Sequence, residues 1–113
     1  MAAALFAVPA AEGRICAHFG HCEVFTLVKV EDQRVTEVSD RIPPEHEPGV
    51  IPNWLHDLGV THIIAGGMGR RAQDLFEKHG IQVVIGAANS TPRQAVESYL
   101  AGTLETGDNP CGH

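Results

Sequence analysis

No apolar run in these 113 residues approaches the roughly 20 that a membrane-spanning helix needs. The opening stretch, Met1 to Ala10, is apolar but short. It carries no basic segment, so it reads as a first strand and not as a signal peptide. Disulfide chemistry is thin as well. Three cysteines is an odd count and a poor framework for bridges, which points to a reducing, cytoplasmic setting. Basic residues are scarce, with 8 Lys and Arg against 14 Asp and Glu, for a net charge of −6. They are scattered, and Arg70-Arg71 is the one adjacent pair. A nucleic-acid partner, which calls for a basic stripe, is therefore disfavoured. The motifs G-x-S-x-G and H-E-x-x-H are absent. The first strand has no Asp or Glu, which argues against a two-metal nuclease.

What remains is an ordinary globular composition, 43% hydrophobic and 19% charged, with length for one core. Ala3 to Val8 reads as a buried strand ended by Pro9, and residues 9–21 as a loop. Glu23 to Val30 is rich in β-branched residues and predicts a second strand. A polar turn and a third, edge strand over Arg34 to Ile42 follow. Pro43 to Gly49 is too proline-dense for a helix or a central strand. Val50 to Leu58 has helical spacing and a glycine stop. Then come a strand to Ala65, a glycine turn, a helix over Arg70 to His79, and a strand over Ile81 to Ile85. Thr91-Pro92-Arg93-Gln94 has the form of a capping box opening a last helix to about Leu100. The order β-β-β-α-β-α-β-α predicts a three-layer α/β domain, with a five-strand mixed sheet and helices on both faces. The domain spans residues 1–102, and 103–113 read as a flexible tail.

Chemistry concentrates in two places. Cys16, His18, His21 and Cys22 crowd a seven-residue segment, and Cys111 and His113 end the chain. Thiolates and imidazoles are the ligands of soft and borderline metals. The spacing does not match the C-x2-4-C of a zinc finger, and adjacent His21 and Cys22 suit one closed tetrahedron poorly. A more open site, or one spread over the loop and the tail, fits better. Gly66-Gly67-Met68-Gly69 follows a strand and opens a helix, so its backbone N–H groups can face an anion, with Arg70 and Arg71 beside them. It is neither a Walker A loop nor a G-x-G-x-x-G fingerprint. The plainer reading is a tight turn that needs its glycines for packing. His56 and His79 fall in the last turns of helices and read as structural; His46 is a weak ligand candidate.

His18-Phe19-Gly20, His46-Glu47-Pro48-Gly49, Ala65-Gly66-Gly67-Met68-Gly69 and His79-Gly80-Ile81 together resemble the dinitrogenase iron–molybdenum cofactor biosynthesis family. That family includes nitrogenase accessory proteins and the small orange protein, which holds a molybdenum–copper–sulfide cluster. The resemblance runs from residue 1 to about residue 102 and implies a ribonuclease H-like fold without nuclease chemistry. It implies a cofactor-binding position at His18 and cluster-proximal backbone at Gly66, Gly67 and Gly69; Phe19, Gly20, Met68 and Arg70 are expected to complete the cofactor-binding set. Cysteines flanking the HFG tripeptide and the Cys-Gly-His end set this chain apart from many members.

The expected function is binding, carriage or assembly of a metal–sulfur cluster of molybdenum, iron or copper with sulfide, without catalysis. A cluster-assembly or acceptor protein is the expected partner, and the chain is expected to be a monomer or weak homodimer, with no membrane or nucleic-acid partner. The alternatives are a zinc-binding structural or regulatory module and, with no visible base or nucleophile pair, a hydrolase.

Overall fold

The structure, a computed structural model, describes residues 3–16, 23–43, 50–86 and 90–104. Strand β1, Ala3–Ala11, is apolar almost throughout because both of its faces are covered. Its side chains alternate. Leu5 and Ala7 face one side of the sheet, Phe6 and Val8 the other.

After a turn at Glu12 and Gly13, the two-residue strand β2, Arg14–Ile15, folds back on the end of β1. Both turn residues have positive φ, 52° and 78°, the backbone of a two-residue hairpin. Strand β3, Val24–Glu31, pairs antiparallel with β1 from Ala3↔Glu31 to Ala10↔Val24. A second such turn, Asp32-Gln33, leads to β4, Arg34–Arg41. This edge strand is charged and mostly exposed, the composition that discourages pairing with another chain. Helix α1, Val50–Asp57, crosses to β5, His62–Ala65, which lies parallel to β1 on its other side. Helix α2, Arg70–Lys78, then leads to β6, Gln82–Ile85, parallel to β5. Helix α3, Pro92–Ala101, comes last. The sheet order is β4-β3-β1-β5-β6, with β2 paired to the end of β1.

The mixed α/β fold and the helices on both faces are as expected; the sheet has six strands where five were predicted. One face holds Ile51 and Leu55 of α1 and Phe76 of α2 against Phe25, Leu27 and Ile63. The other holds Ala95 and Val96 of α3 against Phe6, Val8 and Val28. At the start of β1 and β5, His62 stacks on Phe6 at 4.5 Å, and Tyr99 of α3 meets both rings edge-on. Burial pushes the His62 imidazole below its ordinary pKa.

One expectation needs correction. Pro9 does not end β1. A residue's N–H and C=O point to the same side of a strand, and the Pro9 carbonyl accepts from Cys16 N–H at 2.9 Å. The proline nitrogen therefore faces away from β3, so its missing hydrogen costs no bond in the β1–β3 ladder. Gly102 adopts the left-handed conformation, φ 75°, Thr103 N–H bonds back to Ser98 at 2.8 Å, and Leu104 packs on the α3-side core. Residues 105–113 lie outside the described set.

Candidate functional site

The site is built where the chain changes direction across the sheet. From β1 the path runs to β3 and β4 on one side, then crosses to β5 and β6 on the other. Open α/β sheets bind ligands beyond the carboxyl ends of strands at such a switch point. Here the carboxyl ends of β1, β5 and β6 lead into the segments at Cys16, Gly66 and Gly86.

These segments are tied by backbone bonds. β5 pairs with β1 at Phe6↔His62 and Ala7↔Ile63; further along, β2 takes the position beside β1. The free edge of β2 is closed by Ile15 N–H donating to the Ser90 carbonyl at 3.0 Å. Gly86 N–H donates to the carbonyls of Ala65 and Gly66, both at 3.1 Å. Gly86 is thereby tied to the glycine turn and Ser90 to β2.

In the turn, Gly66, Gly67 and Met68 are buried, whereas Gly69 and Arg70 are exposed. The Met68 side chain lies in the α1/α2-side core, fully buried, so only its backbone belongs to the turn. Its carbonyl accepts from Gln73 Nε2 at 2.9 Å, which braces the turn against the helix it precedes. Gly69 is the N-cap of α2 and supplies no side-chain cap. The first N–H groups of a helix have no carbonyl within it, so this end is left to bond with something else. Arg70 pairs with Asp74 at 3.3 Å, and both side chains are largely exposed. Such i,i+4 pairs are worth only about 0.3–0.5 kcal/mol, so the guanidinium is easily redirected. Arg71 is exposed.

Cys16 ends the β2 turn-back and is 7% exposed. Desolvation by burial, with a smaller contribution from the Glu23 charge, pushes its thiol above the ordinary range; a hydrogen bond from the Glu23 backbone acts the other way. It is a buried thiol, and a metal would have to displace its proton. Glu23, at the far end of the segment, donates its N–H to Ala10 at 2.9 Å and accepts Glu12 N–H on its carboxylate at 3.0 Å.

Of the residues singled out from sequence, Cys16, Gly66, Gly67, Met68, Gly69 and Arg70 are placed at this end of the sheet. His18, Phe19, Gly20, His21, Cys22, Cys111 and His113 lie outside the described residues, as does His46. Among the described residues no three His, Cys, Asp or Glu side chains converge as a metal site. Sequence reasoning missed Gln73, Gly86 and Ser90. Gly86, directly after a strand and φ 94°, was a readable turn signal; Gln73 and Ser90 act through contacts that no pattern announces.

A family model described as dinitrogenase iron-molybdenum cofactor matches residues 2–102. The chain belongs to the dinitrogenase iron-molybdenum cofactor family. An uncharacterized protein of Methanocaldococcus jannaschii is 30% identical over 105 residues, covering 88% of this chain and 87% of that one. Among solved structures, the crystal structure of PH0822 superposes with a TM-score of 0.83 at 30% identity, covering 90% of this chain and 93% of the other. The apo orange protein from Desulfovibrio gigas superposes at 0.75 with 22% identity, each chain 94% covered, a likeness of fold. The family is linked to iron–molybdenum cofactor biosynthesis and binding, so a cofactor-related role follows for this member. No helix among the described residues is long and apolar enough to cross a membrane.

Proposed function

We propose that this protein carries, or helps assemble, a metal–sulfur cluster as cargo and does no chemistry on it. The observation that carries the reading is the bare start of α2 at the same end of the sheet as Cys16, where the cysteine–histidine segment begins. Metal–sulfide clusters are anionic. Uncapped backbone N–H groups, the positive end of a helix, and Arg70 and Arg71 suit an anion of that size. The fit also extends to ligand type: imidazole and thiolate are offered by the segment from Cys16 to Cys22.

In this reading His18 supplies the first ligand. Cys16 joins when its buried thiol gives up its proton, which makes loading favour higher pH. The turn from Gly66 to Arg70 forms the opposite wall and balances charge, and Cys111 and His113 are available to cover the cargo. A site open on one side allows release to an acceptor protein, and one chain suffices.

Anaerobic reconstitution with sulfide and iron, molybdate or copper, followed by desalting, is expected to give a coloured protein with metal and inorganic sulfide bound. The paired variant Cys16→Ala/His18→Ala is expected to stay colourless. Equal colour in both, or zinc without sulfide in protein purified anaerobically, overturns the reading.

A further inference from the structure

At the far end of the sheet, away from the glycine turn, two histidines from different helices face each other. His56 lies in the last turn of α1, and His79 is the C-cap of α2. Their ring centres are 5.0 Å apart, with the planes tilted by 36°. Both helices end here because Gly59 and Gly80 follow, at φ 90° and 76°, and turn the chain into β5 and β6. The pairing is a product of packing, since 23 positions separate the two residues in sequence.

From this geometry we infer that His56 and His79 form a second, exchangeable site for a borderline divalent metal ion such as zinc. The spacing between the ring centres is one that a shared ion can span. With zinc–nitrogen bonds of about 2.0–2.1 Å and tetrahedral angles, two imidazoles on one zinc have ring centres about 5 Å apart. The surroundings favour a cation. Two helix C-termini meet here, each presenting the negative end of its dipole. The Asp57 carboxylate lies 3.7 Å from His56 Nδ1. At that distance the carboxylate is not hydrogen-bonded to the ring, but its negative charge adds to the attraction for a cation. The His56 side chain is 52% exposed, so an ion and its waters have access.

No third protein ligand among the described residues completes the set, so water fills the other positions. Two protein ligands make a site that holds an ion loosely and gives it up readily. The inference does not rest on the carrier reading, because it concerns a bare ion at the opposite end of the sheet.

The test uses the full chain, labelled with nitrogen-15 in histidine and titrated with zinc chloride. The ring signals of His56 and His79 are expected to shift together along one binding curve. In His56→Ala, the response of His79 is expected to weaken by at least about tenfold in zinc concentration, the smaller end of what losing even an outer partner costs. His79→Asn, which retains a polar helix end, is expected to do the same to His56. The inference is overturned if the rings ignore excess zinc, or if His79 responds unchanged in His56→Ala. Cluster loading in these variants is expected to match wild type, so failure here and failure of the carrier reading are separate results.

Discussion

Helix α3 begins behind a closed box of hydrogen bonds, whereas α2 begins at a bare glycine. Thr91 accepts from Gln94 N–H at 3.2 Å, and the Gln94 side chain accepts from Thr91 N–H at 3.1 Å. Pro92, buried at the first helical position, has no N–H left to satisfy. At α2 the corresponding side chain is missing, and packing must hold what capping does not. Phe76, fully buried, anchors that helix to the sheet, and Gln73 ties its first turn to Met68. The contrast separates two uses of one local structure. The α3 start is closed by side chains; the α2 start is left open at the glycine turn.

The largest test of this contrast removes the anchor. Phe76→Ala is expected to destabilise the fold by about 3–5 kcal/mol, read as a fall in the urea midpoint. A cost below that of uncapping α3 would break the comparison. Thr91→Ala is expected to cost about 1 kcal/mol, with the slope of the urea transition unchanged. Gly69→Asp sharpens the contrast from the other side. A Cβ at position 69 would meet nothing within 4 Å, and φ there is −65°, so a side chain is sterically free. The new cap is expected to add a few tenths of a kcal/mol to stability while lowering metal–sulfide retention, since a carboxylate repels an anionic cluster. If Gly69→Asp loads like wild type, the open helix start has no part in holding cargo.

The smallest effect is expected from pH, and it acts through α3 and not α2. His62, packed against Phe6 and Tyr99, has a folded pKa below its ordinary value of 6.5. Below that ordinary value the unfolded chain binds the proton more readily than the folded one. The contribution of His62 to stability is therefore whole above about pH 6.5 and is lost as the pH falls toward the folded value. Urea midpoints between pH 7.5 and 5 are expected to fall less steeply in His62→Gln than in wild type.

The two helix starts also show what the sequence could and could not tell. The α3 box was legible because its parts are local: Thr, Pro and Gln within four residues state their own geometry. The glycine turn was legible as a turn, yet Met68 reads equally as lining or as core until the fold shows it in the core. Strand β2 was hidden because Pro9 suggested an ending, while its tolerance depends on which side β3 occupies. His56 and His79 looked like two separate helix ends, and only the packing of α1 and α2 makes them one feature.

The segment from Cys16 to Glu23 has a further property. Its two ends are fastened to neighbouring residues of β1, Cys16 to Pro9 and Glu23 to Ala10, and in a strand neighbouring carbonyls point to opposite sides. Cys16 and Glu23 are thus held on opposite sides of β1, fixed by the folded sheet. Closing a chain into a ring costs conformational entropy. Here folding of the sheet has already met that cost. On the proposed reading, any ligands between these two anchors are offered from a chain whose ends folding has already fixed, whereas the same sequence cut out as a free peptide would have to close itself around each metal it met.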